Sequence, residues 1–151
     1  MPFRPKKILV ATDFSDCARV AVDAAVDLAR QFQAELTLVH VIPVSAYVDL
    51  ASSMSGQIAG NIGYAEAVRA VAETRWSEER ERLSKAGVPL SFVTREGSPV
   101  LDIADTAKTG AFDLVVVGTH GRTGLRHILL GSVAEGVVRH CSVPVLTLRG
   151  P

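Results

Sequence analysis

The residues best suited to chemistry lie in one loop, Gly118-Thr119-His120-Gly121-Arg122-Thr123-Gly124-Leu125-Arg126-His127-Ile128-Leu129-Leu130-Gly131-Ser132. Glycines at a strand end let the backbone take positive φ and let a ligand approach the main chain closely. Gly131-Ser132 opens a helical pattern, whose first N–H groups and dipole favour an anion such as phosphate. Arg122 and Arg126 add charge to the same loop. A structural reading stands beside this one. Ser132-Val133-Ala134-Glu135 fits a capping box with Ser132 as N-cap and Glu135 at N3, and Glu135 would compete with a phosphate. Gly118 on that reading only terminates a strand.

No Gly-Lys-Ser or Gly-Lys-Thr follows the glycines, so the loop is not a Walker A motif, and no Gly-x-Gly-x-x-Gly follows the first apolar run. Without a P-loop lysine there is no evident group to stabilise charge developing on a γ-phosphate, which argues against fast phosphoryl transfer. Asp13 follows that first run. Ligand contact, a cap compatible with the helix dipole and general-base catalysis are its three readings, in that order of preference. His40, His120, His127 and His140 are scattered and lack metal-ligand spacing; His120 lies in the loop, and the others read as packing or surface. Cys17, near a helix start, reads as an inert, half-buried thiol.

The elements that must position these residues alternate regularly. Residues 7–12 form a short apolar strand with Ser15 as the following N-cap. Ala18, Ala21, Ala25, Leu28 and Phe32 then recur at spacings of three and four, the stripe of an amphipathic helix. A second strand covers 35–41 and is stopped by Pro43. Residues 44–63, rich in Ser, Gly and Ala, are long for a connection and are expected to be mobile, locally helical or a functional flap. A charged helix covers 65–86, anchored by Trp76 and stopped by Gly87. Its run Glu78-Glu79-Arg80-Glu81-Arg82 reads as a solvated face with i,i+4 pairs. A third strand at 89–95 precedes Ser98-Pro99, an N-cap and N1 proline. The helix they open turns Val100, Ile103, Ala104 and Ala107 to one side. Residues 114–117 are the most apolar strand, 132–140 a short helix with Ala134, Val137, Val138 and Cys141 inward, and 144–148 a last strand. Such alternation specifies an α/β fold with a parallel sheet covered on both faces. In such sheets ligands bind outside the carboxyl ends of the strands, here at Thr12-Asp13, Val41 and Gly118.

With 151 residues the chain is sized for one domain, 1–151, and its core is aliphatic: 48% of residues are hydrophobic but only 5% aromatic. Lys plus Arg balances Asp plus Glu at 16 each, so no net field draws nucleic acid or an anionic membrane. The first apolar run is too short for a signal-peptide core, no stretch approaches a membrane span, and two cysteines make no disulfide framework. A soluble cytoplasmic protein is expected.

The spacing Gly118-x2-Gly121-x9-Gly131-Ser132 resembles the nucleotide-binding motif of universal stress proteins of the ATP-binding type. Ile8-Leu9-Val10-Ala11-Thr12-Asp13-Phe14-Ser15 is similar to that family's first strand and turn, Asp113 to Gly121 to its fourth strand and loop, and Ser142-Val143-Pro144-Val145-Leu146 to its closing strand. The resemblance covers essentially the whole chain. It implies an open five-stranded parallel sheet in the order 3-2-1-4-5, Rossmann-like, with ATP or another adenine nucleotide (AMP or ADP) across the first and fourth strand ends. It further implies Thr12 and Asp13 on the ribose or metal side, the Val41 backbone on the adenine edge, and Gly118 under the ribose and α-phosphate. Gly121, Gly131, Ser132 and Val133 would hold the outer phosphates, with Arg122 a less secure contact. Mg²⁺ or Mn²⁺ would bridge the phosphates with few protein ligands.

The resemblance also implies a homodimer through the apolar closing run, residues 143–149, from Val143 to Arg149, which otherwise leaves an open sheet edge; Pro144 and Arg149 protecting a free edge is the competing reading. The residues leave three functions open. A nucleotide-binding stress-response or signalling module leads. A slow ATP-hydrolysing enzyme needs Asp13, His120 or Arg122 to position water. A nucleotide-independent dimeric interaction module is disfavoured by the intact Gly121 and Gly131-Ser132.

Overall fold

The computed structural model describes residues 2–46, 63–120 and 130–150. Gly121, Arg122 and most of the 44–63 segment lie outside the described residues. The strands are β1 (Lys7–Ala11), β2 (Glu35–Pro43), β3 (Leu90–Gly97), β4 (Leu114–Gly118) and β5 (Val145–Leu148). The helices are α1 (Asp16–Phe32), α2 (Tyr64–Arg82), α3 (Pro99–Thr109) and α4 (Ser132–His140). All strand pairs are parallel and the order is β3-β2-β1-β4-β5, as the resemblance implied.

Side chains alternate across a strand, so one apolar run feeds two cores. Ile8, Val10, Leu36, Leu38, Leu114 and Val116 pack on one face with α1, with Trp76 of α2 and with Leu83 just past its end. Leu9, Val39, Val41, Val115 and Val117 pack on the other with Ile103 and Ala107 of α3 and Ala134 and Val137 of α4. The alanine stripe of α1 is buried as its periodicity predicts, and the Ser15 hydroxyl accepts from Ala18 N–H at 3.2 Å. Pro99 occupies the start of α3, although the Ser98 side chain makes no capping bond.

Four expectations are corrected. Helix α2 ends at Arg82, short of Gly87, because the chain turns inward to bury Leu83 and pack Ala86 and Val88 beneath it; Gly87, at φ 73°, serves the turn that follows. Strand β2 extends two residues past Val41, paired with β3 up to Pro43 opposite Gly97. The charged run is not uniformly solvated: Glu79 is 4% exposed and pairs with Arg82 three residues on. Val138 is 47% exposed and lies outside the inward stripe, while Cys141 packs half-buried against the second core.

Candidate nucleotide site

β1 feeds α1 on one face of the sheet and β4 feeds α4 on the other. The helices that follow these neighbouring strands therefore lie on opposite faces, a topological switch point whose crevice is expected at the strands' carboxyl ends. Thr12 and Asp13 stand at its centre. Thr12 N–H donates to Val39 O at 2.9 Å, the last rung between β1 and β2. The Thr12 hydroxyl accepts from Phe14 N–H at 3.0 Å and Asp13 Oδ1 from Ser15 N–H at 3.0 Å. Asp13 is thus no helix cap. It shapes the turn that delivers Ser15 to the cap position. Phe14 takes the left-handed conformation, φ 64°, which for a bulky residue needs support from its surroundings. That support is aromatic: its ring lies 4.6 Å from His40 and 5.0 Å, edge-on, from Trp76. The Trp76 indole N–H donates to the Thr94 hydroxyl at 2.7 Å.

Register decides what flanks the turn. Ala11 pairs with Val39 and Val10 with Val116, so Val41 is level with Asp13 on one side and Gly118 with Thr12 on the other. Alternate strand residues turn their N–H and C=O to the same side. Val39 O points at β1, so Val41 directs its backbone to that side too, where β1 has ended. Val115 and Thr119 donate to β5, so Gly118 turns its own backbone toward β1 and the crevice.

Gly131 N–H donates to Thr119 O, which brings the start of α4 to the end of β4. Gly131 is the N-cap of α4 and Ser132 its first helical residue, so the capping box does not form. Glu135 is instead drawn along the helix by Arg139, at 2.9 Å, away from the first turn. Ser132 and Val133 are exposed at this end, presenting the first amides of α4, which have no intrahelical partner. The Thr119 hydroxyl lies 3.0 Å from His120 Nδ1.

Packing alone explains two of the glycines. A Cβ on Gly131 would lie 2.7 Å from Thr119 O, and one on Gly118 would lie 2.9 Å from Cys17 Sγ and 3.1 Å from Cys17 O. Both let backbone approach backbone at the crevice, a requirement that precedes any ligand. Among the described residues no three His, Cys, Asp or Glu groups converge as a metal site, and no helix is long and apolar enough to cross a membrane.

The structure thus brings Thr12, Asp13, Val41, Gly118, Gly131, Ser132 and Val133 to one end of the sheet. Sequence reasoning left His40 as packing or surface and missed its bond to the turn: His40 Nδ1 lies 2.8 Å from the Thr12 carbonyl. Only the strand register, which puts His40 beside the end of β1, reveals this.

A universal stress protein family model matches residues 5–149. Universal stress protein MJ0531 of Methanocaldococcus jannaschii is 35% identical over 146 residues, 97% of this chain and 83% of that protein. YxiE of Bacillus subtilis is 33% identical over 147 residues, 95% and 98% of the two chains. Among solved structures, UspA of Lactobacillus plantarum superposes with TM-score 0.81 at 29% identity, over 97% of this chain and 99% of that one. A universal stress protein in complex with cAMP shares the fold at TM-score 0.70 and 24% identity, covering 97% and 98%. Another, from Archaeoglobus fulgidus in complex with dAMP, does so at 0.66 and 22%, covering 94% and 96%. With a family match over nearly its whole length and the sheet order that family implies, this chain belongs to the universal stress protein family.

Proposed function

We propose that the chain is a single-domain, cytoplasmic adenine-nucleotide sensor that binds ATP and serves as a stress-response or signalling module. One observation carries the reading: the register places the Val41 and Gly118 backbones on either side of Thr12-Asp13, with the start of α4 folded over Thr119. The Val41 backbone offers the donor and acceptor that an adenine edge requires. Thr12, Asp13 and Gly118 take the ribose and α-phosphate. The amides of Gly131, Ser132 and Val133 take the outer phosphates, joined by Gly121 and Arg122 of the glycine loop. The cAMP and dAMP held by two proteins of the same fold support an adenine ligand. A Mg²⁺ or Mn²⁺ ion is carried by the phosphates and its own waters, with Asp13 the nearest carboxylate in the turn. The β5 edge, where Leu146 is 37% exposed, pairs two copies into a dimer.

Calorimetric titration with ATP and Mg²⁺ tests this, together with analysis of nucleotide released on denaturing the purified protein. Binding without phosphate release identifies a sensor. Metal-dependent release, lost in Asp13→Ala while binding persists, identifies a slow hydrolase instead. A nucleotide-free protein that takes up no heat overturns the nucleotide reading and leaves an interaction module.

A further inference from the structure

The ladder between β1 and β2 stops one rung early. Lys6 O accepts from Glu35 N–H at one end, and Thr12 N–H donates to Val39 O at the other. Continuing the parallel pattern, Val41 N–H would donate to the Thr12 carbonyl. Among the described residues that rung is not made. The Thr12 carbonyl faces His40 Nδ1 at 2.8 Å instead. A carbonyl can only accept, so Nδ1 carries the hydrogen. Thr12 is 5% exposed and His40 9%, and a buried carbonyl has to find a donor. His40 is held to this task by its neighbours: its ring meets Phe14 at 4.6 Å and Trp76 at 6.3 Å, on the face shared by α1 and α2.

We propose that His40 is a positioning residue for ligand recognition: by engaging the Thr12 carbonyl, it keeps Val41 N–H out of the sheet and turned toward the crevice. The inference rests on the nucleotide reading and gives it a mechanism. The sheet would otherwise close over the donor that a nucleobase edge needs. His40 touches no ligand and acts through Thr12 and Val41. Its contact with Phe14 also braces the left-handed residue that follows Asp13.

The test compares wild type, His40→Asn and His40→Phe by ATP-Mg²⁺ titration and by amide exchange at Val41. Asn retains a donor near the Nδ1 position, whereas Phe retains the ring and loses the donor. His40→Phe is expected to bind about tenfold more weakly, a usual size for coupling between sites. Its Val41 amide becomes protected as it pairs with Thr12. His40→Asn stays within about threefold of wild type, below that range. Phe92→Leu, on the far side of Trp76, controls for general loosening of the aromatic cluster and leaves affinity unchanged. If His40→Phe fails to fold, ¹⁵N spectra of wild-type histidines decide, with hydrogen on Nδ1 of His40 expected. Wild-type affinity in His40→Phe, equal losses in both His40 variants, an equal loss in Phe92→Leu or hydrogen on Nε2 each overturns the proposal. A wild type that binds no nucleotide overturns the functional reading and the recognition role together, and the Val41 exchange comparison still shows whether His40 holds the rung open.

Discussion

Arg82 of α2 grips Glu79 with two bonds, Nε to Oε2 at 3.0 Å and Nη2 to Oε1 at 2.6 Å, and reaches Asp23 of α1 with its remaining nitrogen at 2.5 Å. The bond to Glu79 is the main reason the guanidinium is held above its ordinary pKa, against the opposing effect of partial burial. The Glu79 side chain is 5% exposed and that of Arg82 30%. One guanidinium thus neutralises a buried carboxylate and ties the end of α2 to α1. Arg82→Ala leaves Glu79 buried and unpaired, at a cost of about 2 kcal/mol, below the fully buried range because Arg82 is partly solvated. Replacing the pair together, Glu79→Leu with Arg82→Met, is expected to recover most of that loss in urea unfolding.

Ser132→Asp separates helix stability from ligand binding. A carboxylate in the first turn of α4 favours the helix dipole by about 0.3–1 kcal/mol, so the thermal midpoint rises slightly. The same charge opposes the phosphates, and nucleotide affinity is expected to fall by more than about tenfold, or 1.4 kcal/mol. Opposite changes in melting and in titration mark the site. A parallel loss of both would refute a phosphate role for this helix start.

Gly118→Ala drives a methyl into Cys17, 2.9 Å from Sγ and 3.1 Å from the carbonyl oxygen. Overpacking of this kind costs about 1–3 kcal/mol. Adding Cys17→Ala removes the sulfur but not the backbone contact, so denaturant midpoints are expected to show partial rescue. Full rescue would place the conflict in the side chain alone.

Burial pushes the Cys141 thiol above its ordinary pKa. The folded chain therefore holds this proton at pH values where the unfolded chain releases it. The associated stability is present below the ordinary thiol pKa and is lost as pH rises through the folded value. Mass-spectrometric alkylation is expected to label Cys141 at higher pH in the native protein than in urea. Coincident pH profiles would contradict this.

Leu146→Glu places a charge on the open β5 edge and is expected to shift a dimer to monomer in sedimentation, with little change in stability because Leu146 is partly exposed. An unchanged mass would exclude pairing through this edge.

The amino-acid sequence by itself determined the alternation of strands and helices and the Ser15 cap, because both are written in local spacing and residue type. It also marked the family, through the glycine spacing and the strand-end blocks. What it could not hold is any fact that depends on a distant neighbour. Ser132 follows the cap position because Gly131 is pinned to Thr119, and α2 stops at Arg82 because Leu83 has a core to enter. Glu79 is buried because Arg82, itself held by Asp23 of α1, neutralises it. Gly118 must be glycine because α1 passes over it at Cys17, 101 positions earlier in the chain. The strand-end rule already gathered Asp13, Val41 and Gly118, but only the tertiary structure set them level with one another and turned His40 onto Thr12, because register between strands is fixed by packing on both faces and not by any single segment.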